Sequence, residues 1–159
     1  MQFRKARPGE HDTIYLMGYD TWGVGQSIET HLRECRESEK YKMGIWYVIS
    51  DADDVLYSSL IHYDLGSDSC GIGSIATAPD FRKKGHASSL IQAALERFNH
   101  DGFSKVFLFS DIDPRFYEKF GFRALSSSHQ AHKKAVCMVW GTDPQDLENQ
   151  PGFKLPDYF

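Results

Sequence analysis

No run of apolar residues in this 159-residue chain approaches the roughly 20 needed to cross a bilayer. The opening Met1-Gln2-Phe3-Arg4-Lys5 carries nothing like the apolar core of a secretory leader. Cysteine is scarce: Cys35, Cys70 and Cys137 are an odd number without CxxC spacing, which fits a reducing compartment and thiols used as small apolar residues. A basic excess is missing too. With a net charge of −4 and a pI near 5.9, the chain lacks the positive face of a duplex-DNA binder. A P-loop is absent, because nothing supplies GxxxxGK[ST]. Together these absences lead to the expectation of a cytoplasmic enzyme or binding domain with no membrane and no nucleic-acid partner.

What remains is ordinary globular material, with 41% hydrophobic and 25% charged residues, enough to bury a core in one domain over 1–159. Aromatic residues reach 14%, which suggests a groove or an interface in addition to that core. Met1 to Ala6 reads as an edge strand. Ile14, Met17 and Thr21 sit at helical spacing, and Gly23-Val24-Gly25 breaks that helix. Ser27 is the expected N-cap of a second helix whose apolar stripe is Ile28, Leu32 and Cys35. Strand patterns follow at Ile45–Ile49, Val55–Tyr63 and Cys70–Thr77, joined by short polar links that favour antiparallel pairing.

The pattern then changes period. Ala87, Leu90, Ile91, Ala94, Leu95 and Phe98 form the strongest helical stripe in the chain, ended by Asp101-Gly102 and followed by a strand at Val106–Phe109. Strand, helix, strand in that order demands one parallel pair within the sheet. Asp113-Pro114 opens a short helix that Gly121 stops. Phe122–Leu125 and Ala135–Trp140 read as the last strands, around a polar loop from Ser126 to Lys134. The tail from Thr142 to Phe159 shows no periodicity. The fold class is therefore α/β: a mixed, mostly antiparallel sheet with one parallel strand pair, flanked by about four helices.

Chemistry concentrates in Pro79-Asp80-Phe81-Arg82-Lys83-Lys84-Gly85-His86-Ala87-Ser88, between a strand and the best helix. A glycine with basic neighbours at a helix N-terminus offers free N–H groups, a positive dipole end and close backbone approach to an anion. A solvated charge run capping a surface helix would have the same composition. The strand–loop–helix context favours the anion site. Gly71-Ile72-Gly73-Ser74-Ile75-Ala76 matches GxGxxA, but those glycines lie inside a strand and the helix begins too late for a dinucleotide fingerprint.

Two motifs resemble the GNAT N-acetyltransferase superfamily. Arg82-x-x-Gly85-x-Ala87 resembles its [Q/R]-x-x-G-x-[G/A] pyrophosphate motif, preceded by Thr77-Ala78-Pro79-Asp80-Phe81. Phe116-Tyr117-Glu118-Lys119-Phe120-Gly121-Phe122 resembles its second hallmark, [F/L]-Y-E-x-x-G-F. The resemblance implies acetyl-CoA as co-substrate, no metal, and a small-molecule or peptide amine as acceptor, with a homodimer left open. It implies that Ile75, Ala76 and Thr77 offer strand backbone to the pantetheine arm and thioester. It further implies that Lys83, Lys84, Gly85, His86, Ala87 and Ser88 wrap the pyrophosphate, with Arg82 adding charge. Tyr117 matches the tyrosine that protonates the departing thiolate; packing of its ring is the competing role.

The chain departs from the family pattern where a base would sit. A strand glutamate is replaced near Gly71, and the next strand offers only Val106-Phe107-Leu108-Phe109. The asparagine often found after that strand is replaced by Ser110 or Asp111; Ser110 is carried over as a cofactor contact. Asp111 is the candidate base, in competition with a turn role and with a water chain. His129 and His132 have no third ligand nearby, so a metal site is not expected. Cys70 as an acyl-carrying nucleophile lacks a His/Asp partner pattern. Trp22, Gly23, Val24 and Gly25 would form a wall of the acceptor cleft. The alternative to an acetyltransferase is a non-catalytic acyl-CoA-binding or regulatory module of the same fold.

Overall fold

The computed structural model describes residues 1–130 and 134–159. Its strands are β1 (Gln2–Lys5), β2 (Ile45–Ser50), β3 (Leu56–Asp64), β4 (Ser69–Thr77), β5 (Lys105–Ser110), β6 (Arg123–Ala124) and β7 (Val136–Trp140). They form one sheet in the order β1-β2-β3-β4-β5-β7-β6, with a parallel pair at β4–β5. Among the described residues the helices are α1 (His11–Met17), α2 (Tyr19–Trp22), α3 (Ile28–Glu37), α4 (Glu39–Met43), α5 (His86–His100), α6 (Arg115–Glu118) and α7 (Pro144–Glu148). This is the expected mixed α/β architecture. Its additional helices, α4 and α7, each contain only 5 residues, too short to leave a periodic pattern.

The chain divides into two compact units, one made of 1–63 with 74–94, the other of 64–73 with 95–159. In the first, β1 lies antiparallel on β2 from Gln2↔Ser50 to Lys5↔Tyr47, and β2 pairs with β3 through a bulge at Ile49/Ser50. The expected first helix is interrupted at Gly18. Its backbone leaves helical geometry there (φ −102°, ψ 7°), so α1 and α2 are separate turns, and the missing side chain makes room for the Trp22 ring. Ser27 caps α3 as expected, its Oγ accepting from Thr30 N–H at 3.1 Å. The buried face of α3 is His31 and Cys35, whereas Ile28 is half exposed. Of the expected stripe Cys35 is buried and Leu32 half-buried, and His31 joins them because its Nε2 donates to the Tyr15 carbonyl at 2.9 Å, which satisfies the buried ring.

In the second unit, β5 is buried nearly throughout, as a central strand covered on both faces requires. It pairs with β4 at Ser69↔Lys105, Cys70↔Val106 and Gly71↔Phe107, and with β7 from Val106↔Trp140 to Ser110↔Val136. The expected stripe of α5 is half-buried at Ala87 and buried at Leu90, Ile91 and Ala94 in the first unit and at Leu95 and Phe98 in the second. Gly102, at φ +100°, ends the helix: its N–H bonds the Asn99 carbonyl and the Phe103 N–H bonds the Phe98 carbonyl. The tail is not structureless. Asp143 caps α7, and Phe153, Leu155 and Phe159 pack against Phe107, Leu125, Cys137, Val139 and Leu147.

Gly141 is the tightest backbone approach in this unit. It sits at φ +94°, and a Cβ would overlap the backbone oxygen of Ser104, which has no side-chain freedom with which to yield. Gly141→Ala should therefore destabilise the protein by roughly 3 kcal/mol or more, read as a lowered Tm. A Tm within a degree of the parent would show that this turn can relax.

Candidate active site

The route from β4 to α5 is built locally. After Thr77, the Ala78 N–H donates to the Tyr57 carbonyl at 2.9 Å, and Pro79–Phe81 make one 3₁₀ turn. Lys83 and Gly85 then adopt φ +62° and +83°. A lysine in the left-handed region costs about 1–2 kcal/mol, so the turn is over-determined by its surroundings. Around Gly85 a Cβ would meet open space, so its backbone is accessible. The first bond of α5 runs from Ser89 N–H to the Gly85 carbonyl at 3.0 Å. The N–H groups ahead of it lie outside the helix's own ladder, at the positive end of a 15-residue dipole.

Side chains finish this loop. Lys83 and Lys84 are exposed. Lys84 Nζ lies 5.8 Å from the Phe81 ring centroid. His86 stacks flat on Tyr57 with centroids 4.4 Å apart, and Phe81 meets Tyr57 edge-on at 4.5 Å. This aromatic wall orders the start of α5. Arg82 turns back into the protein: Nε donates to the Thr77 carbonyl at 3.0 Å and Nη2 to the Met17 carbonyl at 3.0 Å. It also pairs with both Asp20 carboxylate oxygens, at 2.6 and 2.8 Å. That bonding holds the Arg82 guanidinium above its usual pKa and the Asp20 carboxyl below its own.

Ile75, Ala76 and Thr77 are half-buried and lie beyond the short parallel ladder of β4. Ser74, at φ +46°, bends the strand just before them, and its Oγ donates to the Tyr41 hydroxyl at 3.4 Å. Thr77 Oγ1 shares a 2.6 Å hydrogen bond with Ser58 Oγ. Tyr41 also lines a cleft of about 210 Å³ with Trp22, Gln26, His31, Glu34, Cys35 and Ser38. Tyr19 OH donates to the Gln26 carbonyl at 2.5 Å, and Gln26 Nε2 donates to Glu34 at 2.7 Å, so the rim of this cleft is held. Sequence reasoning reached Trp22 but missed Glu34 and Tyr41. Glu34 sits on an exposed helix face, and Tyr41 lies on a five-residue helix between polar neighbours and packs on Tyr15 and Trp46, so only three-dimensional neighbours mark either as a lining residue.

The tyrosine lies in the other unit. Asp113 accepts from Arg115 N–H at 3.0 Å to start α6, one residue later than the sequence suggests, and Gly121 at φ +99° ends that turn. Tyr117 is only 8% exposed, with Phe116 edge-on at 5.0 Å and Phe122 at 6.1 Å. Burial, and then the charge of Asp111, push its phenol up to about 12. It therefore holds its proton throughout the neutral range. Phe116 and Phe120 are half-buried beneath Lys119, whose Nζ is 4.3 and 5.0 Å from their ring centroids. Asp111 is exposed at the end of β5. Ser110 is buried, and its Oγ donates to the Ile112 carbonyl at 2.8 Å.

The position where a family glutamate would lie is sealed. At Gly71 a Cβ would overlap the Phe159 ring, and Phe109 packs edge-on against both Tyr158 and Phe159 with centroids 5.1 Å apart. Cys70 is fully buried, and burial pushes its thiol up to about 12, so it is no thiolate nucleophile. His129 lies 3.7 Å from Glu148, whereas His132 lies outside the described residues. Among the described residues no group of three or more His, Cys, Asp or Glu could hold a metal ion. No helix among them is long and apolar enough to cross a membrane.

The model of the acetyltransferase (GNAT) family matches residues 22–122, a stretch that contains the β4–α5 loop and α6. The fold is similar to PaiA N-acetyltransferase from Thermoplasma acidophilum, solved in complex with coenzyme A: TM-score 0.68, 16% identity, covering 89% of this chain and 98% of that one. It is also similar to a chimeric spermidine N-acetyltransferase SpeG from Vibrio cholerae and hSSAT: TM-score 0.66, 18% identity, 94% and 100% coverage. A third is a GNAT family acetyltransferase from Brucella melitensis in complex with acetyl-CoA: TM-score 0.62, 18% identity, 89% of each chain. No curated protein sequence matches the chain.

Proposed function

We propose that this chain, which belongs to the GNAT acetyltransferase family, is an acetyl-CoA-dependent N-acetyltransferase working as one domain over 1–159 on a primary amine of a small-molecule or peptide acceptor. The observation that carries this reading is the turn between β4 and α5, where Gly85 leaves backbone accessible at a basic helix start. Lys83 to Ser88 meet the pyrophosphate in this reading, and Ile75 to Thr77 present backbone to the pantetheine arm and the thioester carbonyl. The amine attacks that carbonyl, the C–S bond breaks, the acetyl group passes to nitrogen and the sulfur leaves as thiolate. The cleft with Trp22, Glu34 and Tyr41 supports acceptor binding on the same side as Ser74 and Ile75, since Tyr41 is bonded to Ser74. A cytoplasmic setting is part of the reading, in keeping with three free, buried thiols.

Tyr117 is the proposed proton donor to the thiolate. A phenol at about 12 is by itself a poor acid toward a thiol of reference pKa about 8.5, by roughly 5 kcal/mol. Desolvation narrows that gap, because it raises the basicity of the thiolate as well as of the phenolate. Asp111 is the proposed base, with water as its competitor. An alkylamine is only about one part in a thousand neutral at pH 7, a penalty near 4 kcal/mol, so some group must take its proton. The second reading, a non-catalytic acyl-CoA-binding module, is favoured by one observation: the Gly71 position is filled by Phe159 and holds no carboxylate.

A thiol-release assay with acetyl-CoA and a panel of amines separates these readings. Turnover with at least one amine is expected; CoA binding without any turnover would favour the binding module. Tyr117→Phe keeps the buried ring, so Tm should stay near the parent while turnover falls about 10²-fold or more. Full activity in that variant would remove the acid role, and a collapsed Tm would assign the tyrosine to packing alone. Asp111→Asn should depress the rate mainly at neutral pH and less where the amine is already neutral. A pH–rate profile parallel to the parent would leave the proton to water.

A further inference from the structure

We propose that Arg82 is a positioning residue that fixes the acyl-binding end of β4 against the α1–α2 corner, and that its guanidinium is not a phosphate ligand. This rests on the acetyl-CoA reading above. Four hydrogen bonds define the arrangement: Nε to the Thr77 carbonyl, Nη2 to the Met17 carbonyl, and Nη1 and Nη2 to the two oxygens of Asp20. A guanidinium has five N–H donors in a rigid plane, so this one is committed almost entirely to protein groups. Swinging it toward a phosphate would strand two carbonyls and a carboxylate.

The bonds join three separate pieces of the chain. Met17 closes α1 and is 1% exposed; Asp20 belongs to α2; Thr77 is the last residue of β4. Thr77 is held from its other side by Ser58, so its carbonyl has a fixed direction. The ion pair itself contributes little to stability, because both side chains are substantially in solvent, at 37% and 53%. Its effect is orientational. It sets the azimuth of Ile75–Thr77 and ties that strand end to α2, whose Trp22 lines the 210 Å³ cleft. Lys83 and Lys84 follow immediately and are exposed, Lys84 Nζ donating only a long 3.4 Å bond to the Asp80 carbonyl, so the charge available to phosphate lies with them.

The two roles separate by ligand. A phosphate contact is felt by any probe carrying the pyrophosphate, whereas a positioned strand is felt only by a probe carrying the pantetheine arm. Calorimetry should therefore compare acetyl-CoA with 3′-phospho-ADP, its nucleotide half, on the full chain and on Arg82→Ala, Arg82→Lys and Asp20→Asn. A Lys83→Ala/Lys84→Ala control is run beside them. Arg82→Ala should weaken acetyl-CoA at least about tenfold and 3′-phospho-ADP less than about twofold. Arg82→Lys keeps the charge but not the fork and should still lose acetyl-CoA affinity; Asp20→Asn should lose it in the same direction. The double lysine variant should weaken both probes together.

Equal losses for both probes in Arg82→Ala, restored by Arg82→Lys, would overturn the positioning role and make Arg82 a phosphate ligand. Unchanged acetyl-CoA affinity in both Arg82→Ala and Asp20→Asn would overturn it as well. If Arg82→Ala does not fold, Arg82→Lys and Asp20→Asn decide by the same ratio of the two probes. Failure of the unaltered chain to bind either probe is a different result, which refutes the acetyl-CoA reading itself.

Discussion

The path from Thr77 to His86 is the constraint on which the proposed cofactor site depends. A strand must stop, turn and deliver a 15-residue helix with open space around Gly85 just ahead of its first turn. Three devices accomplish this: a 3₁₀ turn at Pro79–Phe81, left-handed backbone at Lys83 and Gly85, and the Arg82 guanidinium bonded back to the end of the strand. Positive φ at a lysine is costly, and His86 stacked on Tyr57 supplies compensating packing one residue beyond the turn. The strain and the accessible backbone coincide, as is common where a chain is shaped for a ligand and not for stability.

On the other unit the design is burial. A tyrosine on a four-residue helix is directed by its two ends, Asp113 and Gly121, and by aromatic neighbours at 5.0 and 6.1 Å. The desolvation that keeps its proton in place also weakens it as an acid, and catalysis through it requires a leaving group sharing that low-dielectric surrounding. The absent strand glutamate has a physical counterpart. Gly71 leaves space that Phe159 occupies, so aromatic packing by the tail stands where a carboxylate would. A side chain at residue 71 would require the Phe159 ring to move from its present place.

Much of this was legible in the sequence. The stripe from Ala87 to Phe98 and its Asp101-Gly102 stop are local signals, and α5 follows them to a Schellman ending at Gly102. The turn chemistry around Asp113-Pro114 and Gly121 was equally readable, within one residue. What escaped were long-range commitments. Arg82 reads as a charge for the pyrophosphate until Met17 and Asp20, more than 60 residues away, are seen to hold it. On α3 the periodicity points to Ile28, Leu32 and Cys35, yet Cys35 shares the buried face with His31, whose ring a carbonyl from Tyr15 satisfies. The aperiodic tail packs by aromatic contacts that no repeat encodes.

The central claim is that the loop before Ala87 receives the pyrophosphate of acetyl-CoA. Set beside Gly85→Ala, which carries the same strain of a side chain at φ +83°, Gly85→Glu tests it most directly, because it alone puts a carboxylate into the space assigned to phosphate. Calorimetric titration with acetyl-CoA should show binding to the parent and at least about a tenfold weaker affinity in this variant, with its Tm recorded to verify folding. A folded variant that binds acetyl-CoA as tightly as the parent would contradict the account.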